Sequence, residues 1–275
     1  MIQSLSRFRD SASGTKACDP TISYDQEIAR SFDHCRSTSN HDEILQVITN
    51  TLVTNLYGKT DVKVLDLGCG TGLLSIPLQE RCAWAQFIGA DRSQAMLQIA
   101  ARKPCSKQII WQQQEALALT YADQSIDAVI MSNLLHHFQR PQDVIEEVGR
   151  VLKPNGVIIA SYGAIEDIAE DPDHVYFPTA LIIDCARTPS LRHVERWFDE
   201  SGLSSIASHK RSLVLASNAH ERIERTKAKH ISVLHMIPDF EFIRGLDLLQ
   251  EAADTIHDTN WWCYQGVTIT TAIKS

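Results

Sequence analysis

Two acidic residues and a set of glycines have the types and spacing that suit a bound nucleoside. Asp66 ends an apolar run, and glycines follow it at positions 68, 70 and 72. Glycines let the chain turn tightly and let a ligand approach where a Cβ atom would collide. A second acid, Asp91, ends the next apolar run about 25 residues after Asp66. An acid roughly 20 residues beyond a glycine turn can bind both hydroxyls of a ribose.

The glycine turn differs from the fingerprint of dinucleotide-binding proteins. That fingerprint, G-x-G-x-x-G, needs a small third residue so that the helix packs closely on the strand. Here the position that should be small is Leu73, and the third glycine comes one residue early. The pattern therefore counts against NAD or FAD. The helix after the turn would still present free N–H groups to a ligand.

Two adjacent histidines, His136 and His137, are the first candidates for a general base. They follow the apolar run 128–133, at the carboxyl end of a predicted central strand, where open α/β sheets bind ligands. Histidine titrates near neutral pH, as a general base must. Weaker candidates for the same role are Tyr24, Tyr162, His174 and Tyr176.

Alternating strand and helix patterns must position these side chains. Short apolar or β-branched runs predict strands at 62–67, 85–90, 108–112, 128–133, 157–162, 203–214 and 267–273. Apolar spacings of three and four predict helices at 22–36, 42–56, 73–81, 93–100, 142–152 and 191–202, with two or three more within 215–260. This alternation is typical of an α/β fold.

Between residues 60 and 162 the order of these features resembles the class I S-adenosylmethionine-dependent methyltransferases. The matching features are the glycine turn with Asp66, the loop 119–127 before the fourth strand, and the sequence 150–156, where Asn155 replaces the commoner glycine. The likeness is to the small-molecule members, methyltransferase type 11 and the ubiquinone and menaquinone methyltransferases. It implies a Rossmann-like, doubly wound sheet of seven strands, with an antiparallel last strand and helical cap and lid insertions.

The resemblance also implies roles for individual residues. Asp91 would bind the adenosine ribose, and Asp66 with the turn would hold the methionine portion. The remaining residues that would bind the cofactor are Gly68, Cys69, Gly70 and Gly72 of the turn, Arg92, Met96, Glu115 and Ala116 around the adenine, Asn133 at the methionyl amine, and Tyr24 in an N-terminal lid helix. Glu115 stands where the family usually carries aspartate. Tyr24 and Phe32 are equally consistent with the apolar stripe of a packed helix.

The division of the chain follows from these assignments. We expect residues 1–275 to form one methyltransferase domain. Its parts would be a flexible tail (1–20), lid helices (21–57), a cofactor-binding core (60–162) and substrate cap segments (163–200 and 215–260). The acid-rich stretch 166–173 could attract a cationic substrate, but a solvated helix face is the favoured interpretation. The basic stretch 209–230 is likewise predicted to be solvated surface.

The composition of the chain argues against several classes of partner. The net charge of −8 gives no broad electrostatic footprint for nucleic acid. The seven cysteines have no regular spacing, which argues against a disulfide framework or a zinc site, and no metal site is predicted. Residues 1–20 lack the apolar region of a secretory signal, and no run is long enough to span a membrane. We therefore expect a cytoplasmic protein, as monomer or homodimer, without a nucleic-acid or membrane partner.

The sequence thus predicts an enzyme that methylates a small molecule, most readily on oxygen or nitrogen. Three alternatives stay open. An enzyme of the same fold could bind S-adenosylmethionine and catalyse another reaction. An RNA methyltransferase is disfavoured by the charge and by the absence of an N/D-P-P-Y-type tetrapeptide after the fourth strand. A dinucleotide oxidoreductase is disfavoured by Leu73.

Overall fold

A computed structural model of the protein describes residues 42–168, 172–255, 261 and 263–275, and the account below concerns these residues. The strands are β1 (Lys63–Leu67), β2 (Gln86–Asp91), β3 (Ile110–Gln113), β4 (Ile126–Ser132), β5 (Leu152–Tyr162), β6 (Leu203–Ala216) and β7 (Cys263–Lys274). The helices are α1 (Asp42–Leu56), α2 (Ser75–Arg81), α3 (Gln94–Ala100), α4 (Pro141–Val151), α5 (Ile165–Ile168), α6 (Pro178–Arg187), α7 (Leu191–Glu200), α8 (Ala219–Lys227) and α9 (Asp239–Thr255). Short 3₁₀ turns occupy Ser106–Gln108, Leu135–His137, Pro172–Val175 and Ser232–His235. Tyr24 and the predicted first helix lie outside the described residues.

The described strands form one seven-stranded sheet in the order β3-β2-β1-β4-β5-β7-β6. From β3 to β5 the neighbouring strands are parallel, whereas β7 is antiparallel to both β5 and β6. The predicted doubly wound sheet with an antiparallel last strand is confirmed. The strand order reverses between β1 and β4, and open sheets of this kind bind ligands in the crevice at such a point.

Two hydrophobic clusters, one on each face of the sheet, hold it in place. Leu65 belongs to the cluster under α4 and α7, and its neighbour Val64 to the cluster under α1 and α2. The apolar face of α1 is buried, as its spacing predicts. A parallel strand covered on both faces is apolar along its whole length. This is why the sequence locates the central strands so closely.

Strand β5 begins at Leu152 rather than at the predicted Val157. The sequence Lys-Pro-Asn-Gly that was expected to separate α4 from this strand lies within it. Lys153 Nζ lies 2.8 Å from Asp127 Oδ2, and Asn155 has a φ angle of 59°. The pairing register with β4 shifts at the same place. The turn is therefore absorbed as an irregularity at the start of the strand.

The two predicted cap segments meet around a small core of their own, which includes the buried side chains of Phe177, Val233 and Leu234. Asp173 of the first segment is buried against Arg222 of the second, whose Nε donates to Asp173 Oδ1 at 2.7 Å. The prediction of solvated surface is wrong at both residues. The ion pair offsets part of the cost of burying each charge.

None of the described helices has the combination of length and apolar character that crossing a bilayer requires.

Candidate functional site

The carboxyl ends of β1 and β2 bring the glycine turn and Asp91 together. The backbone N–H of Gly70 donates to Asp91 Oδ2 at 2.9 Å, and that of Ser93 donates to Asp91 Oδ1 at 2.8 Å. Gly68 and Cys69 both donate to the carbonyl of Ala90 at the end of β2. The predicted ribose acid and the predicted turn thus form one hydrogen-bonded unit.

The turn needs glycine for two reasons. Gly68, Gly70 and Gly72 have φ angles of 75°, 55° and 77°, in the left-handed region that other residues rarely adopt. A Cβ atom on Gly68 would also lie 2.7 Å from Cδ1 of Leu134. The glycine turn therefore packs directly against the loop that carries the two histidines.

Asp66 is buried beneath the turn, with 1% of its surface exposed. Its Oδ2 accepts a hydrogen bond of 2.5 Å from the Ser75 hydroxyl at the start of α2. Burial raises the pKa of Asp66 to about 6. The Ser75 hydrogen bond lowers that pKa in part, and the charge of Asp91 raises it further. Among the described residues, Ser75 supplies the one hydrogen bond recorded to this buried carboxylate, and a cation at this place would stabilise its charge.

Asp91 and Glu115 extend the negative charge along the same edge. Burial raises the pKa of Asp91, the donors Ser93 and Gly70 and the charge of Arg92 lower it in part, and the charge of Glu115 raises it. Glu115 is exposed and follows β3. Asp66, Asp91 and Glu115 therefore make the crevice acidic.

The first turn of α3 follows Asp91 directly. Ser93 caps this helix by accepting from the backbone N–H of Met96 at 3.3 Å. Met96 is buried, with 2% of its surface exposed, whereas Arg92 is exposed and its carbonyl accepts from the Gln113 side chain. Both predicted adenine neighbours lie beside Asp91, one as part of the packed helix and one at the surface.

The segment after β3 presents the other predicted adenine residues. The Gln114 side chain donates to the Thr120 hydroxyl and accepts from the Thr120 backbone N–H, so it closes this segment rather than facing a ligand. Glu115 is left exposed beside Asp91, and Ala116 is buried. Of Gln114 and Glu115, the structure thus leaves Glu115 available as a hydrogen-bond acceptor.

The loop after β4 contains Asn133 and the two histidines. Asn133 has a φ angle of 50°, and its backbone N–H donates to the Ser161 carbonyl at 2.7 Å. His136 and His137 lie on a 3₁₀ turn, with ring centroids 4.1 Å apart and both rings half-buried. The turn is anchored by Leu135, which is 1% exposed. The histidines thus lie on the same loop as Leu134, whose side chain packs against the glycine turn.

Three of the weaker base candidates have partners elsewhere in the fold. The Tyr162 hydroxyl lies 2.9 Å from Thr270 Oγ1, and burial raises the pKa of Tyr162 above its ordinary value. His174 is buried in the cap, with Nδ1 3.0 Å from the Ile168 carbonyl and Nε2 3.3 Å from Asp184 Oδ2. Tyr176 lies in the cap too, with its ring 5.5 Å from the Arg222 guanidinium carbon. Tyr24 lies outside the described residues.

Two aromatic residues that the sequence did not single out line the same region. A Cβ atom on Gly72 would lie 2.6 Å from the Trp111 ring, so the indole closes directly over the turn. Burial raises the pKa of Tyr121 to about 12, with the Cys69 charge as a lesser cause, and its hydroxyl donates to Gln112 Oε1 at 2.6 Å. Burial and the two nearby aspartates raise the pKa of Cys69 as well. For Tyr121, the one signal in the sequence was its position in the loop 119–127 before the fourth strand. For Trp111 there was no such signal.

The charges of the crevice select between ligand classes. The carboxyl groups of Asp66 and Asp91 lie at the turn, that of Glu115 lies near Asp91, and the Gly70 N–H that could bind a phosphate already donates to Asp91. A pyrophosphate would meet like charge here, whereas a nucleoside with a positive charge would meet opposite charge. Among the described residues no group of three or more His, Cys, Asp or Glu side chains could hold a metal ion.

Known families and proteins are similar to this chain over the region that contains the glycine turn, Asp91 and the two histidines. The family described as methyltransferase domain matches residues 65–160. The chain is 31% identical to the protein YqeM of Bacillus subtilis strain 168 over 169 residues, which are 60% of this chain and 65% of YqeM. The chain thus spans slightly less than two thirds of that relative.

A second relative is matched over more of its length. The malonyl-acyl-carrier-protein O-methyltransferase of Marinomonas sp. strain MWYL1 is 28% identical over 231 residues, which are 76% of this chain and 85% of that protein.

Solved structures share the fold. The YcgJ protein of Bacillus subtilis superposes with a TM-score of 0.61 at 19% identity, covering 86% of this chain and all of YcgJ. The 4+2 cyclase SpnF superposes with a TM-score of 0.56, also at 19% identity, covering 87% of this chain and 84% of SpnF.

Proposed function

We propose that the chain is a member of the class I S-adenosylmethionine-dependent methyltransferases and that it transfers a methyl group from S-adenosylmethionine to a small-molecule acceptor. The proposed acceptor atom is oxygen or nitrogen. We further propose that it acts in the cytoplasm, without nucleic acid or membrane.

The observation that carries this proposal is the acidic glycine turn between β1 and β2. S-adenosylmethionine has a ribose with two hydroxyls, an amino group and a positively charged sulfur. Asp91 supplies acceptors for hydroxyls, and the raised pKa of Asp66 marks a buried carboxylate that a nearby cation would stabilise. The left-handed glycines let the turn pack closely against Leu134 and Trp111, where Cβ atoms would collide. The residues present therefore fit this cofactor.

Each part of the cofactor has a proposed partner in the described residues. Asp66 and the backbone of the turn would hold the methionine portion, and Asp91 the ribose. Asn133 would face the amine. The adenine would lie among Arg92, Met96, Glu115 and Ala116. Tyr24 is proposed as the lid residue on the strength of the sequence alone.

When bound, S-adenosylmethionine would supply an activated methyl group: the acceptor's lone pair would form a bond to the methyl carbon, the carbon–sulfur bond would break, and S-adenosylhomocysteine would leave as a neutral thioether. The chain's own part is to orient the two reactants, exclude water and accept a proton. His136 and His137 are the proposed bases, because their loop touches the glycine turn through Leu134. A neutral imidazole there would take the proton that an oxygen or nitrogen acceptor loses.

A second candidate function keeps the cofactor but changes the reaction. The likeness to SpnF, a cyclase, shows that this fold is not confined to one chemistry. The acceptor-side cap would decide between the two functions, because the cofactor site is common to both.

Two experiments test the proposal. A thermal-shift comparison should show stabilisation by S-adenosylmethionine and S-adenosylhomocysteine and none by NAD or NADH. Incubation with a metabolite library should then yield a product heavier by one CH₂ unit, seen by mass spectrometry. Stabilisation by NADH alone would contradict the cofactor. Cofactor binding with a transformed but unmethylated product would favour the second candidate.

The histidines give a prediction for the transfer step. Replacing the true base by alanine, H136A or H137A, should lower kcat by about 10²- to 10⁴-fold at neutral pH and leave cofactor affinity unchanged. His193 of α7, which stacks on Trp197, provides a control in H193A. The measurement is turnover of the acceptor found in the library. Full activity in both H136A and H137A would exclude this loop as the source of the base.

A further inference from the structure

Arg150, in the last turn of α4, donates hydrogen bonds from all its side-chain N–H groups to Glu147 and to the loop between β3 and β4. Its Nε donates to Glu147 Oε2 at 2.9 Å, and one terminal nitrogen donates to Glu147 Oε1 at 2.7 Å and to the Leu119 carbonyl at 2.9 Å. The other terminal nitrogen donates to the Tyr121 carbonyl at 2.9 Å and to Asp123 Oδ1 at 2.6 Å. A guanidinium has five N–H donors in a fixed fork, and here each has an acceptor.

Glu147 completes the attachment from the other direction. Its Oε1 also accepts from the backbone N–H of Leu119 at 2.7 Å. The backbone N–H groups of Gln124 and Ser125 donate to the carbonyls of Arg150 and Val151. The loop between β3 and β4 (residues 114–125) is therefore attached to the end of α4 at 119, 121, 123, 124 and 125.

The same loop carries two of the proposed adenine residues. Gln114 and Thr120 hydrogen-bond to each other, and Glu115 and Ala116 lie in the segment between them, Glu115 exposed and Ala116 buried. Tyr121, whose carbonyl Arg150 fixes, packs against the same hydrophobic cluster as Leu134, which lies against Gly68 of the glycine turn. A shift of the loop on α4 would move these residues relative to the turn.

We propose that Arg150 and Glu147 are positioning residues that hold the 114–125 loop where it can bind the adenine end of the cofactor. This inference rests on the proposed function. Asp123 contributes little, because its side chain is 73% exposed and the surrounding water screens the pair. Glu147 is only 16% exposed and pairs with the guanidinium in the two-pronged geometry that gives such pairs directional strength.

The test compares two ligands that share adenosine but differ at the other end. S-adenosylhomocysteine carries the amino-acid portion, and 5′-methylthioadenosine does not. In calorimetric titrations, R150M should weaken binding of both ligands by the same factor, about tenfold, and E147Q by about threefold. R150K keeps the charge but not the fork, and its affinity should fall between R150M and wild type. D66N, at the methionine end, should weaken S-adenosylhomocysteine much more than 5′-methylthioadenosine.

The controls separate positioning from general loss of structure. R196M removes an arginine that also pairs with a glutamate one helical turn away, but on α7, and should leave both affinities unchanged. If R150M does not fold, E147Q and R150K still test the inference. A lowered melting temperature with unchanged dissociation constants for both ligands would overturn the positioning role. Failure of wild type to bind either ligand would overturn the proposed function and this inference together. If D91A binds both ligands more weakly but R150M, R150K and E147Q bind them as tightly as wild type does, only the inference is overturned.

Discussion

Burial of Asp66 disfavours the ionised form of its side chain. The side chain is almost fully enclosed, accepts a hydrogen bond from the Ser75 hydroxyl, and lies near a second carboxylate. Such an arrangement destabilises the unliganded protein whenever Asp66 is ionised. A residue of this kind is expected at a site that binds a cation, because the ligand supplies the missing charge.

The variant D66N should stabilise the unliganded protein at pH 8 by about 1–3 kcal/mol. The pKa of Asp66 is raised from 3.8 to about 6 on folding. Its stabilising contribution is therefore complete below pH 3.8 and is lost as the pH rises through about 6. The gain in stability of D66N over wild type should therefore grow as the pH rises through that window. The substitution should also lower the affinity for the cofactor. Urea unfolding of both proteins at pH 5 and pH 8 measures the difference.

Asp42 offers the matched control for that measurement. It is also an aspartate with one partner, Arg81, but its side chain is 80% exposed. D42N should change stability by less than about 0.5 kcal/mol at either pH. A D66N protein that is less stable than wild type at pH 8 would contradict the account of Asp66.

At the scale of the elements, the contact between β2 and β3 depends on a glycine. A Cβ atom on Gly89 would lie 2.3 Å from Cζ3 of Trp111, whose indole nitrogen donates to the Ser106 carbonyl. G89A should therefore cost about 1–3 kcal/mol of stability through overpacking. The double variant G89A/W111L should lose less than the sum of the two single variants, because the smaller side chain makes room.

Gly149 provides the comparison within a helix. A Cβ atom there would come no closer than 3.9 Å to another atom, so G149A should stabilise α4 by about 0.5–1 kcal/mol. Strictly additive effects of G89A and W111L in urea unfolding would show that the indole does not fill the space above Gly89.

The elements differ in how far the sequence predicts them. Strands β1 and β4 and helix α1 follow from local patterns, because burial leaves an apolar run or an apolar stripe. The start of β5 does not, because it is defined by pairing with β4, which is distant in sequence and where Lys153 also reaches Asp127. A local pattern of Lys-Pro-Asn-Gly predicts a turn, and the partner strand overrides it.

The same distinction applies to the site and the whole molecule. Asp66, Asp91 and the glycines are recognisable from type and spacing alone. Trp111 and Tyr121 are not, because their place in the site results from packing against residues of other elements. The cap shows the limit most clearly, since Asp173 and Arg222 read as surface charges until the fold buries one against the other.

The described residues form a sheet with an acidic edge and a cap with a small core of its own, and the central claim is that the acidic edge binds S-adenosylmethionine through Asp91. The most direct test is calorimetric titration of S-adenosylmethionine into wild type, D91A and the more conservative D91N. Wild type should bind one equivalent, and both variants should bind at least about 10- to 100-fold more weakly while remaining folded. Equal affinity in all three proteins, or no binding by wild type, would contradict the account.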